Sequence, residues 1–330
     1  MEPFLNRDAR ELGLTPDRIR HSDFDHPAAG VSVLSAASAT LAERCRAIAL
    51  ILPDHAVFTH LTSARLRGWW LPRIDDEPII ACSDGEAPHH DRRGVYVRRC
   101  GLPDDHREVV KGVPVASAEW TIVELAEHLC LIDLVVAIDS ALRAGDTSVD
   151  AIRSTMRRGR RGVRVLRRAL TLVDGRSDSP WESVLRLAHT LSAIEVEVQH
   201  QLRDDIGEII WSLDLAIRGT RRAAEFDGGS HRTPEGQQRD MRRDRLLARH
   251  RIERYAYSAR DLREDPAQVV RDADAALGRV HVPARALLWL EEFDRSTYRA
   301  SGYGALLRRL RRFTRDRSPR STRSTSGADS

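Results

Sequence analysis

The stretch that most constrains the fold is IIWSLDLAIRGTRRAAEFDGGSH, residues 209–231. Residues 209–217 are mostly apolar and β-branched, and residues 218–221 have the composition of a tight turn. A second apolar run follows at 223–227. Two such runs joined by a short polar turn predict a β-hairpin.

Three carboxylates are expected on one face of this hairpin. Side chains two apart on a strand point the same way, so Glu225 and Asp227 share a face, with Asp214 opposite them on the partner strand. Like charges across a strand pair are destabilising, so the arrangement indicates either a bound cation or exposure to solvent. Two glycines then turn the chain and bring His231 close to the acids.

These side chains suit a Mg²⁺ site that hydrolyses a phosphodiester. Mg²⁺ prefers oxygen ligands, commonly one or two carboxylates with water and substrate phosphate, and Asp214 and Glu225 are the predicted ligands. The metal would activate water, and Asp227 or His231 would orient that water or protonate the leaving oxygen. The structural alternative is that Asp227 begins a turn and His231 lies in a loop.

The helices beside the hairpin carry further candidates. Ser179-Pro180-Trp181-Glu182 has the pattern of a capping box, and Glu182 begins a helix from which it can face the acids. A polar helix is predicted over residues 233–250. Four of its arginines are candidate contacts to a DNA backbone: Arg239, Arg242, Arg243 and Arg245.

The order of predicted elements indicates a multidomain α+β protein. Residues 76–173 are predicted to form a mixed, mainly helical middle domain, with three short strands before four helices. Residues 174–278 follow the order helix, three strands, helix, strand, helix, which predicts one sheet flanked by helices. The turn-rich segment 174–180 is the predicted boundary, and residues 279–330 are predicted to be a basic, partly disordered tail.

Residues 1–75 are predicted to form a winged-helix-like DNA-binding domain. Apolar residues between Phe4 and Leu12 have helical spacing, Gly13 ends that helix, and Thr15-Pro16 begins a second helix. Helix, glycine turn and helix is the outline of a helix-turn-helix, with AAGVSVLS at 28–35 as the wing strand. An ordinary small helical bundle is the alternative.

Arginine is concentrated in two blocks. Residues 153–168 contain eight arginines and no acid, and residues 308–330 contain eight arginines and two acids, although the formal charge of the chain is only +4. Such blocks suit a polyanion such as DNA, and a solvated helix face or a flexible tail is the alternative. No run of about 18 apolar residues occurs, so we expect no membrane span and a cytoplasmic location.

The C-terminal motifs resemble a nuclease family. SPWES at 179–183, the strand with Asp214, AAEFDGGSH at 223–231 and D-x-x-R at 240–243 have the order found in Vsr-like endonuclease domains, which resemble very-short-patch repair endonucleases. These domains belong to the PD-(D/E)XK restriction-like fold, and the likeness covers roughly residues 177–277.

This resemblance implies a restriction-endonuclease-like α/β domain with a central mixed sheet and Mg²⁺-dependent DNA cleavage. It implies catalytic roles for Glu182, Asp214 and Glu225. Asp227 stands where the wider superfamily has a lysine, so Asp227 and His231 would replace that lysine.

The N-terminal half is similar to antitoxin domains of the AbiEi type, in which a winged helix-turn-helix precedes a mixed region. The similar segments are FLNRDARELGLTPDRIR at 4–20, HAVFTHLTSARLRG at 55–68 and GVPVASAEWTIVELA at 112–126. This resemblance implies that the N-terminus binds DNA.

The leading interpretation is a DNA-binding protein with a Mg²⁺-dependent endonuclease domain. The alternative is a non-catalytic DNA-binding transcriptional regulator or antitoxin of the AbiEi type, whose nuclease-like domain is a scaffold. A structure-specific RNA nuclease is a third interpretation. DNA is the expected partner, a homodimer is an open alternative, and a toxin would be a further partner under the regulator interpretation.

Overall fold

Residues 2–38, 40–84, 94–204, 206–228 and 234–314 are described by the structure, a computed structural model, which gives the backbone alone for residues 234–240, 242 and 314. Within these ranges there are thirteen α-helices and twelve strands, and the strands form mixed and antiparallel sheets. This composition confirms the multidomain α+β class. The helices are α1 (Pro16–Ile19), α2 (Leu41–Ala49), α3 (His60–Arg67), α4 (Ala118–Leu125), α5 (Leu131–Arg143), α6 (Val149–Thr155), α7 (Val163–Ala169), α8 (Pro180–Thr190), α9 (Pro234–Arg249), α10 (Ala259–Glu264), α11 (Gln268–Ala276), α12 (Leu287–Arg295) and α13 (Ala300–Thr314). The strands are β1 (Phe4–Leu5), β2 (Phe24–Ala28), β3 (Val31–Leu34), β4 (Val57–Phe58), β5 (Ile80–Ser83), β6 (Tyr96–Arg99), β7 (Arg107–Val110), β8 (Val113–Ala116), β9 (Val196–Arg203), β10 (Ile209–Ile217), β11 (Arg222–Phe226) and β12 (Glu253–Tyr257).

The N-terminal segment forms an antiparallel sheet in the order β1-β3-β2. The helix predicted between Phe4 and Leu12 is wrong, because the segment forms β1 and then a 3-10 turn at Asn6–Asp8. Pairing with β3 places the Phe4 ring against Phe24, with ring centroids 6.0 Å apart. Burial of these two rings outweighs the local helical spacing.

The other N-terminal elements follow the prediction more closely. The second predicted helix is the four-residue α1, which the Thr15 side chain caps by accepting the N–H of Arg18. The predicted wing strand is β3. The assignment of residues 1–75 as a winged-helix domain stays a prediction.

Five strands form a mixed sheet in the order β6-β5-β4-β8-β7. Residues 75–115 are predicted to hold three strands, which are β5, β6 and β8, and the short strand predicted between two helices before them is β4, whereas β7 has no clear sequence signal. β4 is only two residues long, and both of its side chains are buried. Because β4 pairs with β5 and β8, residues on both sides of the boundary predicted after residue 75 share one sheet. That domain division stays a prediction.

Four helices follow this sheet where the apolar periodicity predicts them, α4 to α7. Ser117 caps α4 by accepting the N–H of Trp120, and Ser148 caps α6 by accepting the N–H of Ala151. α5 is buried along most of its length. It is therefore the central helix of this part of the molecule.

The predicted hairpin is confirmed as β10 and β11, which pair in antiparallel register. The C-terminal sheet has the order β12-β11-β10-β9, with β12 parallel to β11 and the other pairs antiparallel. α9 connects β11 to β12, as a parallel pair requires. The mixed sheet predicted for the C-terminal domain is therefore present.

One buried apolar cluster joins the middle helices to the C-terminal sheet and helices. It extends from Leu61 on α3 through Leu134 on α5 and Leu187 on α8 to Trp289 on α12 and Phe313 on α13. The boundary predicted at 174–180 lies between elements that share this core, and the division there stays a prediction. None of the described helices combines the length and apolar composition needed to cross a bilayer.

Candidate nucleic-acid interface

Two of the predicted acids, Asp214 on β10 and Glu225 on β11, lie opposite each other across the hairpin. Asp214 Oδ2 accepts the backbone N–H of Phe226 at 2.8 Å. Burial, strengthened by the negative charges of Glu182 and Glu225, raises the pKa of Asp214 to about 7. The sequence predicts repulsion among Asp214, Glu225 and Asp227, whereas the acids that most raise the pKa of Asp214 include Glu182 and Glu225 but not Asp227.

Glu182 lies in the first turn of α8. The N–H of Glu182 donates to Ser179 Oγ at 3.2 Å, which is the predicted cap. Its carboxylate accepts the N–H of Asp178 at 2.7 Å and Gln199 Nε2 at 3.1 Å, so the reciprocal half of the capping box is not formed. Burial raises the pKa of the Glu182 carboxyl. We call three side chains the acid cluster: Glu182, Asp214 and Glu225.

Two arginines neutralise the Glu225 carboxylate, which is 4% exposed. Arg254 Nε on β12 donates to Glu225 Oε2, and Arg243 Nη1 on α9 lies 3.5 Å from the same oxygen. Arg243, a predicted DNA contact, is thus turned toward the acid cluster, and its side chain is 17% exposed.

Of the remaining predicted site residues, the structure describes the side chains of Asp227 and Arg245. Asp227 is exposed just after β11, and its backbone N–H donates to the carbonyl of Tyr257 at 2.9 Å. Arg245 is exposed on α9. His231 and the side chains of Arg239 and Arg242 lie outside the residues that the structure describes.

Hydrogen-bond donors and arginines surround the acid cluster in this structure, and the Mg²⁺ site stays a prediction. The carboxylates of Asp214 and Glu182 accept N–H donors, and Glu225 is paired with guanidinium groups. Among the described residues, no group of three or more His, Cys, Asp or Glu side chains is placed to hold a metal ion. Arginine therefore balances the charge of Glu225 in this structure.

The basic block at 153–168 contains paired and unpaired arginines. Arg153 binds Asp150 at 3.1 Å and Arg168 binds Glu292 at 2.6 Å, while Arg160 lies over the Trp120 ring. The other five arginines are exposed, and none has an acidic partner in the part of the chain that is described. We call these five the arginine surface: Arg157, Arg158, Arg161, Arg164 and Arg167.

Local packing orients this surface. Leu166 and Ala169 of α7 are fully buried, so the arginines of that helix point to the opposite, solvent side. Gly162 precedes α7 with a φ of +79°, and a Cβ there would overlap the backbone of Ala126 and Glu127. Only glycine therefore allows the arginine-rich segment to approach the end of α4 this closely.

The sequence predicts the basic block but not which of its members are exposed. Arg160 Cζ lies 4.4 Å from the centroid of Trp120, which is 6% exposed. No sequence signal connects these two residues, because they lie on segments that meet only in the folded chain. The division into paired and exposed arginines comes from the structure alone.

A family model matches the part of the chain that carries the arginine surface. The family model of the AbiEi antitoxin C-terminal domain matches residues 71–175, which contain the whole arginine surface. The predicted AbiEi resemblance is therefore confirmed for the segment at 112–126, whereas the segments at 4–20 and 55–68 lie outside the match. The resemblance of residues 177–277 to Vsr-like endonucleases stays a prediction. No solved structure matches the chain.

Two relatives from strains of Mycobacterium tuberculosis are similar over a longer range. Uncharacterized protein MT2308 and Uncharacterized protein Rv2248 are each 30% identical over 204 residues, which is 59% of this chain and 71% of the relative. On this identity and coverage, the chain belongs to the same family as these two mycobacterial proteins, with an AbiEi antitoxin C-terminal domain match at residues 71–175.

Proposed function

We propose that this protein is a DNA-binding regulator or antitoxin of the AbiEi type. The observation that carries the proposal is the arginine surface, five exposed arginines without described acidic partners inside the residues that match the AbiEi family. The leading nuclease interpretation gives way to this alternative, because the acid cluster is held by N–H donors and arginines.

The chemistry of the arginine surface suits a phosphate backbone. A guanidinium group is always charged and donates in a fork that matches phosphate oxygens. Clustered arginines neutralise several phosphates together and release counterions, which gives strong binding with little dependence on base sequence. This surface would supply affinity, and base recognition would come from another element, for which residues 1–75 are our candidate.

A toxin is the further partner that this assignment implies, and a homodimer stays a prediction. Neither partner is needed for the proposed contact between the arginine surface and DNA. The proposed function can therefore be tested on the purified chain.

Fluorescence anisotropy with a labelled 30-base-pair duplex tests the proposal. We expect saturable binding by the wild type, unchanged by EDTA, and at least about tenfold weaker binding by the triple variant Arg157→Gln/Arg158→Gln/Arg161→Gln. Arg218→Gln, at an exposed arginine in the β10–β11 turn, is the matched control. Equal affinities for the triple variant and the control would refute the proposal.

A second candidate is the Mg²⁺-dependent nuclease, which one observation favours. Burial, with the neighbouring carboxylates of Glu182 and Glu225, raises the pKa of Asp214 to about 7, and a bound cation would favour the ionised form of Asp214. Metal binding would require Arg243 and Arg254 to leave Glu225. Cleavage of DNA in Mg²⁺ by the wild type but not by Asp214→Ala/Glu225→Ala would establish it, and equal cleavage by both would exclude it.

A further inference from the structure

The C-terminal helix α13 docks on the AbiEi-matched region through a buried aromatic side chain. Phe313 is 5% exposed and packs against three rings, with centroid distances of 5.3 Å to His60, 4.9 Å to Tyr96 and 5.3 Å to His128. Leu310 and Leu306, one and two turns earlier, are also buried. α13 is therefore fixed to this region, although the sequence places it in a basic, partly disordered tail with short amphipathic helices.

Glu127 joins the two basic blocks. Arg312 Nη2 of α13 lies 3.3 Å from Glu127 Oε2, and Arg160 Nε lies 3.9 Å from Glu127 Oε1. Arg98 Nη2 contacts the same carboxylate at 3.3 Å. The Glu127 side chain is 8% exposed, and three arginines share its single charge. We call this group of contacts the Glu127 junction. Two segments about 150 residues apart in sequence therefore meet at one carboxylate.

His128 gives a second connection between the same segments. Arg309 Nη1 of α13 donates to the carbonyl of His128 at 2.8 Å. Arg312 and Arg161 both lie near enough to His128 for their positive charges to add to the effect of burial, which lowers the pKa of this imidazole to about 4. Arg161 of the arginine surface directly follows Arg160, whose Nε lies 3.9 Å from the Glu127 carboxylate that also contacts Arg312, so the arginine surface adjoins α13.

Helical spacing extends the surface along α13. Arg308 precedes Arg312 by four residues, so both lie on the same face of the helix, about one 5.4 Å turn apart. Arg308 is exposed and has no acidic partner among the residues described. It continues the line of positive charge beyond the Glu127 junction.

We propose that α13 and the arginine surface form one continuous face that contacts the phosphate backbone of a single DNA duplex, an inference that rests on the proposed DNA-binding function. The duplex lies across the Glu127 junction, with the arginine surface on one side and Arg308 on the other. Residues outside the family-matched stretch are thereby part of the DNA interface. A double-stranded DNA is favoured because a rigid row of phosphates can span two elements fixed relative to each other.

Anisotropy with the same duplex tests this inference through two independent variants. Arg308→Gln removes one exposed charge, and we expect about threefold to tenfold weaker binding and a fall of about 0.9 in the slope of log K against log salt. Phe313→Ala keeps every arginine but removes the ring that fixes α13, and we expect a similar loss of affinity. Arg218→Gln should match the wild type in both quantities.

The outcomes separate this inference from the proposed function. If the triple variant at Arg157, Arg158 and Arg161 loses DNA binding while Arg308→Gln matches the control, the single-face inference is wrong and the proposed function stands. No DNA binding by the wild type would refute both. Circular dichroism shows whether Phe313→Ala folds, and Arg308→Gln decides the question if it does not. Equal affinity for a duplex RNA of the same length would refute DNA as the specific partner.

Discussion

Arg186 on α8 donates from Nη2 to Asp139 Oδ2 on α5 across 2.7 Å, and the two side chains are 5% and 0% exposed. Ser183 Oγ and the backbone N–H of Asp174 each donate to the same Asp139 carboxylate at 2.7 Å. Burial raises the pKa of Asp139, and the positive charge of Arg186 opposes that rise. This buried group joins the family-matched helices to the C-terminal part of the chain.

Loss of Arg186 should destabilise the family-matched helices and the C-terminal part of the chain together. Arg186→Met leaves the Asp139 carboxylate buried without its cation, and we expect a loss of about 3–5 kcal/mol in the free energy of unfolding. Urea unfolding followed by circular dichroism and tryptophan fluorescence measures this. The matched control is Arg143→Met, also on an α5 pair, whose side chain and that of its partner Asp178 are 46% and 54% exposed. It should lose less than about 1 kcal/mol, and equal losses would contradict the role of burial.

Acid should weaken the docking site of α13. The pKa of His128 falls to about 4 in the folded protein, first through burial and then through Arg312, while the ordinary value is 6.5. Between these values the unfolded chain binds a proton that the folded protein does not, so stability is lost as the pH falls through this range. From pH 7 to pH 5 we expect a loss of about 1–2 kcal/mol attributable to His128. The pKa of the neighbouring His60 is also well below its ordinary value, chiefly through burial, and adds in the same direction.

Unfolding free energies at pH 7 and pH 5 test this dependence. His128→Asn keeps a hydrogen-bonding group near His60 Nε2, which lies 2.8 Å from His128 Nδ1, but removes the titrating ring. This variant should show a smaller loss between the two pH values than the wild type. An unchanged pH dependence in His128→Asn would be inconsistent with this explanation.

Two glycines beside the arginine surface allow the cost of a left-handed backbone to be measured apart from the cost of steric overlap. Gly159 and Gly162 have φ values of +84° and +79°, but a Cβ at Gly159 meets no atom within 4 Å, whereas one at Gly162 overlaps the Ala126 carbonyl. Gly159→Ala should therefore cost about 1–2 kcal/mol from its left-handed φ alone. Gly162→Ala should cost about 1–3 kcal/mol more, because the overlapped atoms are backbone. Thermal or urea unfolding of both variants measures the difference, and equal costs would show that the close approach is unimportant.

Local sequence patterns predict those helices and strands in which the spacing of apolar residues matches the face that is buried. The β10–β11 hairpin, α8 with its Ser179 cap, and the helices α4 to α7 each follow from periodicity and turn residues. The helix predicted from Phe4 fails because those side chains pair with β3, which lies in sequence beyond the reach of a local pattern. Short strands such as β7 give no periodic signal.

In the two candidate sites, too, the sequence predicts the local features but not the long-range contacts. The sequence places Asp214 opposite Glu225 correctly, because strand geometry is local, but it gives no sign that Arg254 and Arg243 pair with Glu225. Likewise it shows two arginine blocks but not their meeting at Glu127, since that contact depends on the docking of α13. Ion pairs between residues distant in sequence determine which charges are neutralised in both sites.

The salt dependence of DNA affinity is the most direct test of the central claim, that the arginine surface contacts a DNA backbone. Each phosphate neutralised contributes about 0.9 to the slope of log K against log salt. Between about 50 and 200 mM salt, the triple variant Arg157→Gln/Arg158→Gln/Arg161→Gln should show a slope smaller than wild type by about 2–3, with Arg218→Gln unchanged. Parallel slopes for the wild type and the triple variant would show that these arginines do not contact phosphate and would contradict the proposed function.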